Sequence, residues 1–231
     1  MAATPIGNLE DITVRTLRIL KEVDVIACED TRHTGQMLQH FDIRKRLIAC
    51  HSHNEENSSK GILSLLDEGL NIAYCSDAGT PGVSDPGARL CEYVRANSAH
   101  DIVPLPGASA CVTLVSAAGR IGKTFTMEGF LSPKKGRRTK RLTELLSRQE
   151  AFIIYESPFR VLKTLKEIEA LDGTVRCVMG RELTKQFEEI RSGSIQDIIA
   201  LLEKKDAIKG EFAILITPGV DDDQSEEDQE S

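Results

Sequence analysis

VDVIAC at 23–28, LIAC at 47–50, LNIAYC at 70–75 and IVPL at 102–105 are four short apolar runs, and the helical patterns between them decide the fold class. Ile62, Leu65 and Leu66 mark one helical face, and Pro86, at a first-turn position, opens a second helix through Leu90, Cys91 and Val94. Apolar runs this short read as strands buried on both faces. Their alternation with helices predicts a largely parallel sheet covered on both sides.

Residues 119–123 form a small, polar break that reads as a domain boundary. Beyond it, residues 125–130, 151–155, 175–179, 188–192 and 212–217 read as strands. Ser157-Pro158 precedes the helical face Val161, Leu162, Leu165 and Ile168, and both are read as a capped start. Ser194 precedes Ile195, Ile198, Ile199 and Leu202, with Asp197 in the first turn. More strands and fewer helices predict a mixed sheet here. The expectation is an α/β protein of two domains, at 1–119 and 124–219, followed by an acidic tail at 220–231.

A chain of 231 residues buries roughly 70% of its unfolded surface and needs no disulfide staple. Its 40% apolar and 28% charged content excludes collagen-like, disulfide-scaffold and wholly disordered classes. Aromatics at 4%, with no Trp, argue against a core or a nucleic-acid surface built mainly on stacking. The net charge of -7 comes from Asp221, Asp222, Asp223, Glu226, Glu227, Asp228 and Glu230; without these seven, acids and bases are equal at 29 each. The tail reads as solvated and disordered, and the acidic balance does not exclude a polyanionic partner.

The six cysteines contain no CxxC pair and read as small buried hydrophobes in a reducing compartment. The longest uncharged stretch, 102–119, is broken by Pro104, Pro106 and Gly107, so no membrane span is expected. No basic-then-apolar signal opens the chain, which is read as cytoplasmic.

Three loops follow apolar runs in the first half: TPIGN at 4–8, SDAGTPG at 76–82 and PLPGASA at 104–110. Open α/β sheets bind ligands where their strands end, and glycines there let backbone approach a ligand. Asp77 and Ser109 would be the polar anchors. No GxGxxG occurs, and AAGRIGKT at 117–124 lacks the first Gly and the strand-to-helix context of a P-loop. His51 and His53, with Glu55 and Glu56 behind them, suggest either a metal site or a polar substrate loop; no second ligand cluster appears, and no metal is expected. Lys134, Lys135, Arg137, Arg138, Lys140 and Arg141 place six cations in eight residues with no acid before Glu144. That run is either a solvated helix face or a contact for nucleic-acid phosphates. Glu156 and the stretch RELTK at 181–185 put charges at strand ends.

ATPIGNLEDIT at 3–13, VDVIACEDTRHT at 23–34, HSHNE at 51–55, SDAGTPGVSDPG at 76–87, PLPGASA at 104–110, EGFLSPKKGRR at 128–138, YESPFR at 155–160 and RELTKQFEE at 181–189 together resemble the ribosomal RNA small-subunit methyltransferase I family. The resemblance runs in order over nearly the whole chain. It implies the tetrapyrrole-methylase fold, with a mostly parallel N-terminal sheet, a mixed C-terminal sheet and an S-adenosylmethionine cleft between the domains. It also implies a homodimer and 2'-O-methylation of a cytidine ribose in the decoding region of 16S rRNA. By the family's pattern the cofactor lies against Pro5, the loop Ser76, Asp77, Ala78, Gly79 and Thr80, Ser109-Ala110, and the strand ends near Tyr155 and Leu183. A ribose hydroxyl is a weak nucleophile, so some group must accept or redirect its proton. Glu29, Asp30, His53, Glu156, Glu182 and Lys185 are the candidates, and Arg32 and Arg181 would hold phosphates. A small-molecule tetrapyrrole methylase of the same fold is the alternative, and a non-catalytic ribosome-assembly protein is a third class.

Overall fold

The computed structural model describes residues 1–51 and 55–219. The expected tail at 220–231 and the candidate His53 lie outside the described residues. The chain divides into two compact units between Ala110 and Cys111, ahead of the break expected at 119–123.

The first unit carries β1 (Val25–Cys28), β2 (Arg46–Ala49) and β3 (Ile72–Cys75), all parallel in the order β2-β1-β3. Central β1 is buried at all four positions, which is why it reads as an unbroken apolar run. Its side chains alternate between two cores. Ile26 and Cys28 join Leu20 of α1 (Val14–Glu22) and Met37 and Leu38 of α2 (Thr31–His40). Ala27 joins Ile62 of α3 (Glu55–Asp67) and Leu90 and Val94 of α4 (Ala88–Asn97).

The run at 102–105 does not form a strand. Only Leu105 bridges, to Ala2, which also bridges in parallel to Cys75. Pro104 and Pro106 cannot donate to a ladder, which limits pairing to that one residue. Pro86 is also displaced from its expected place, lying before the N-cap Gly87 rather than in the first turn of α4.

The second unit holds a five-stranded mixed sheet in the order β4-β5-β8-β6-β7. Its strands are β4 (Phe125–Phe130), β5 (Ala151–Glu156), β6 (Arg176–Arg181), β7 (Glu189–Ser194) and β8 (Phe212–Thr217). β4 and β5 are parallel, and β8 runs antiparallel to both β5 and β6. β4, β5 and β6 therefore end on one edge of the sheet. One core gathers Phe152, Ile154 and Ile214 with Leu142 of α6 (Lys135–Ser147), Leu165 of α7 (Val161–Leu171) and Ile198 of α8 (Ile195–Glu203). α5 (Ala110–Ala117) brings the buried Leu114 to Gly180, where an added Cβ would lie 3.0 Å from Leu114 Cδ1.

The capping box of α8 is present as expected, with Ser194 Oγ accepting from Asp197 N–H and the Asp197 carboxylate accepting from Ser194 N–H. The cap expected at Ser157 is not. The N-cap of α7 is Arg160, without a side-chain cap, and Ser157 contributes its carbonyl to Arg160 N–H and Val161 N–H.

All six cysteines are free, and all but Cys91 are buried. Burial pushes the thiols of Cys75 and Cys177 up to about 12, so both stay protonated. Among the described residues no helix is long and apolar enough to cross a membrane.

Candidate active site loops

Parallel strands deliver their C-terminal ends to one edge, so β1, β2 and β3 bring Glu29-Asp30, Cys50-His51 and Ser76-Asp77 together there. The three Gly/Pro loops join them by hydrogen bonds. Thr4 and Gly79 exchange backbone bonds at 2.9 and 3.0 Å, and Thr4 Oγ1 donates to Ser76 O at 3.2 Å. Ser76 Oγ donates to Gly79 O at 3.1 Å, and Thr80 Oγ1 donates to Ala108 O at 3.0 Å. Gly107 passes so close to the first segment that an added Cβ would lie 2.7 Å from that of Ala3. Gly79 has φ of 81°, a left-handed conformation that disfavours a side chain.

The hydroxyls of Ser76 and Thr80 are thus used to shape the loop, and Pro5, next to Thr4, is buried. What the loops leave accessible is the half-buried Asp77, the exposed backbone at Ala78 and Gly107, and half-buried Ser109 and Ala110.

Asp77 Oδ1 accepts from Asp30 N–H at 2.9 Å, which ties the end of β3 to the start of α2. Asp30 itself caps α2, accepting from Arg32 N–H at 2.8 Å, and its carboxylate pairs with the Arg32 guanidinium. That pair holds the Asp30 carboxyl well below the usual carboxylate range. Glu29 behaves in the opposite way: burial and then the charge of Asp77 raise it, while the Asp77 backbone and His51 act against this. Asp85, which the sequence reading passed over, is pushed up to about 6 by burial, Glu29 and Asp77, in that order. The second SDPG half of the 76–87 motif was the available signal. Among the described residues no group of three or more His, Cys, Asp or Glu is arranged to hold a metal.

In the second unit the remaining candidates occupy separate networks. Tyr155 Oη accepts from Cys111 N–H at 2.9 Å, and Leu183 is buried against Gly180. Glu156 is buried and accepts from Ser157 N–H at 2.9 Å, Thr164 Oγ1 at 2.9 Å and the Arg160 guanidinium at 3.0 Å. Arg181 pairs with Glu189 at 3.1 Å and donates to the carbonyls of Lys209 and Phe187. Glu182 accepts from Lys185 Nζ at 3.0 Å and from Glu211 N–H at 2.9 Å. Burial raises the Glu182 carboxyl, but the Glu211 N–H and then Lys185 outweigh it, and the net shift is downward. Lys185 also reaches Glu211 at 2.8 Å. Each of these charges is committed to a local partner that sequence alone did not reveal.

The basic run divides in two. Lys134, Lys135, Arg137 and Lys140 are exposed. Arg138 is only 3% exposed, and its Nε donates to Glu167 at 2.8 Å. Its assignment as an RNA contact is therefore corrected: helical spacing turns it inward to a carboxylate on α7. Arg141 binds Glu128 through two nitrogens at 2.9 and 2.6 Å and reaches Glu144 at 2.7 Å, so it too serves the fold.

A family model described as Tetrapyrrole (Corrin/Porphyrin) Methylases matches residues 1–199. The protein named Ribosomal RNA small subunit methyltransferase I from Escherichia coli O157:H7 is 45% identical over 215 residues, covering 92% of this chain and 75% of its own length. The protein of the same name from Bacillus subtilis (strain 168) is 40% identical over 229 residues, covering 99% of this chain and 78% of its own. The crystal structure of the methyltransferase CobJ superposes with a TM-score of 0.70 at 17% identity, covering 94% of this chain and 92% of that one, a likeness of fold.

Proposed function

We propose that this chain, which belongs to the tetrapyrrole methylase family and within it to the ribosomal RNA small subunit methyltransferase I proteins, methylates the 2'-oxygen of a cytidine ribose in the decoding region of 16S rRNA. The observation that carries the reading is identity of 40% or more over nine-tenths of the chain to proteins bearing that name. It acts in the cytoplasm as a homodimer, with S-adenosylmethionine as methyl donor.

S-adenosylmethionine, when bound, supplies a methyl group on a positively charged sulfur. The first unit suits such a cation, because Glu29, Asp77 and Asp85 crowd negative charge at a half-buried edge and a nearby positive charge would relieve it. Asp77, the exposed residue Ala78 and Ser109-Ala110 would hold it, with Pro5, Ser76, Gly79 and Thr80 keeping the loops in shape.

Transfer to a ribose oxygen demands alignment of the reactants and a destination for the hydroxyl proton. Asp30 is pinned as a cap and held ionised, and Glu156 and Glu182 each neutralise a cation. Of the carboxylates named as candidates, that leaves Glu29, raised by burial and then by Asp77, to take that proton. Exposed Arg32 and the exposed cations of α6 would position phosphates. α6 begins without a side-chain cap or an acid in its first turn, which adds to the positive potential there.

Mass spectrometry of small-subunit RNA from cells lacking the gene tests the reading. Loss of one ribose methyl from a decoding-region cytidine, restored by the wild-type gene, is expected; an unchanged pattern overturns it.

A further inference from the structure

The chain has only seven phenylalanines, and three of them stand exposed at the edge where β4, β5 and β6 end. Phe130 is 64% exposed, Phe159 93% and Phe187 67%. Leaving such large apolar rings in water forgoes on the order of 2 kcal/mol of burial each, so three on one edge of a fold require an explanation.

Their placement follows from the register. Phe130 ends β4 opposite Tyr155, and Glu156 and Arg181 end β5 and β6 level with each other, both opposite Phe212 of the intervening β8. Phe159 and Phe187 lie in the loops that leave those two ends, so the two loop origins are two strand spacings apart, about 10 Å.

The backbone that carries the rings is hydrogen-bonded in place. Phe130 rests edge-on against Tyr155, with centroids 5.6 Å apart, and Tyr155 is itself fixed by Cys111 N–H. Phe159 is the third residue of a turn closed by Arg160 N–H donating to Ser157 O, with Pro158 in the second position. The Arg160 guanidinium ties that turn to Leu131 O at 2.8 Å and to buried Glu156. Phe187 O accepts from Arg181, and its loop is closed by Thr184 N–H donating to Glu188 at 2.6 Å.

Cations flank the rings. The segment after Phe130 leads within a few residues to exposed Lys134, Lys135 and Arg137. Separate aromatic rings on hydrogen-bonded backbone beside exposed cations are what unpaired nucleotides require, since every base offers a π face and every linkage a negative charge. A second copy of this chain fits less well, because a two-fold contact over this edge would bring its own cations together.

We propose that Phe130, Phe159 and Phe187 form a stacking platform for unpaired bases of the RNA substrate. This rests on the reading of the chain as an RNA methyltransferase and adds that the target is gripped in single-stranded form. It also revises the expectation, drawn from 4% aromatics, that stacking has little part here: the few aromatics are concentrated where bases would meet them.

The test uses the full chain and fluorescence anisotropy with a labelled single-stranded oligoribonucleotide of decoding-region sequence and the same sequence as a duplex. Wild type is expected to prefer the single strand. Phe159→Ala should weaken that binding roughly five- to a hundredfold with an unchanged salt slope, since stacking is worth about 1–3 kcal/mol per base. Phe159→Trp should retain it, and Phe159→Leu, which keeps apolar area without a π face, should not. The proposal is overturned by wild-type affinity in both Phe159→Ala and the triple alanine variant, by full binding in Phe159→Leu, or by sedimentation showing that these variants only split an oligomer. Phe159-dependent single-strand binding in a protein that leaves 16S rRNA unmethylated would uphold the platform and sink the enzymatic reading, so the two failures are distinguishable.

Discussion

At the ends of β1 and β3 the chain gathers Glu29, Asp77 and Asp85 among loops stitched by backbone hydrogen bonds; at the ends of β4, β5 and β6 it sets exposed phenylalanines beside exposed lysines and arginines. Both edges arise from the same rule, that strands running in one direction release their loops on one side. What differs is how the local charges are used. On the first edge burial, and then the charges of Glu29 and Asp77, lift Asp85 to about 6, a state that a small cation would relieve. On the second, the acids that could neutralise the cations are already occupied. Glu167 holds Arg138, Glu128 holds Arg141, and Lys134, Lys135, Arg137 and Lys140 remain exposed to solvent. Two neighbouring cations of one helix thereby receive different tasks, and this is the sharpest point at which to test the comparison.

Arg138→Ala should lower unfolding free energy by about 3 kcal/mol, because it removes a buried guanidinium and leaves the half-buried Glu167 carboxylate with Thr139 and the charge of Lys135. Arg137→Ala, one residue away and exposed, should change it by less than about 0.5 kcal/mol. Urea denaturation of the two variants reads the difference directly. Equal stabilities would return Arg138 to the exposed run.

That division could not be read from the sequence, and the reason is physical. The apolar runs of β1, β3, β5 and β8 announce themselves because a strand buried on both faces has almost no polar position to interrupt it. The run at 102–105 looked alike and failed, because prolines remove the donors that pairing needs. The loops at 76–82 and 104–110 were legible through their Gly and Pro content, yet the tasks of individual charges were not. Arg138 meets Glu167, Glu182 meets the backbone of Glu211, and Asp77 meets that of Asp30; partners this far apart in the chain are joined only by the fold.

On the acidic edge, Asp77→Ala removes both the bond to Asp30 N–H and a carboxylate facing the proposed cofactor. Titration calorimetry should show S-adenosylmethionine bound about ten- to a hundredfold more weakly, the range expected for a charged hydrogen-bond partner worth about 1.5–3 kcal/mol. Unchanged affinity in a folded variant would place the cofactor elsewhere. On the cationic edge, changing Lys135, Arg137 and Lys140 together to Gln should reduce the slope of log affinity for single-stranded RNA against log salt by roughly 2, leaving cofactor binding intact. A slope equal to wild type would make these cations a solvated face.

The smallest effect concerns Asp85, and its sign distinguishes the two edges. Its carboxyl lies at about 6 in the fold, above its value in the unfolded chain near 4, so the folded state favours the protonated form. Its contribution to stability is therefore fully present below about pH 4 and is lost as pH rises through 6. Asp85→Asn keeps a neutral side chain at every pH, so relative to wild type it should gain on the order of 1 kcal/mol between pH 4 and pH 7, solvent screening limiting the amount. A bound cation reverses the preference, since it favours the ionised carboxylate. Wild-type affinity for S-adenosylmethionine should accordingly rise across the same interval while that of Asp85→Asn stays flatter. Stability curves that run parallel for the two proteins from pH 4 to pH 7 would show that neither burial nor the neighbouring carboxylates raise Asp85. The contrast with the second edge would then rest on its cations and rings alone.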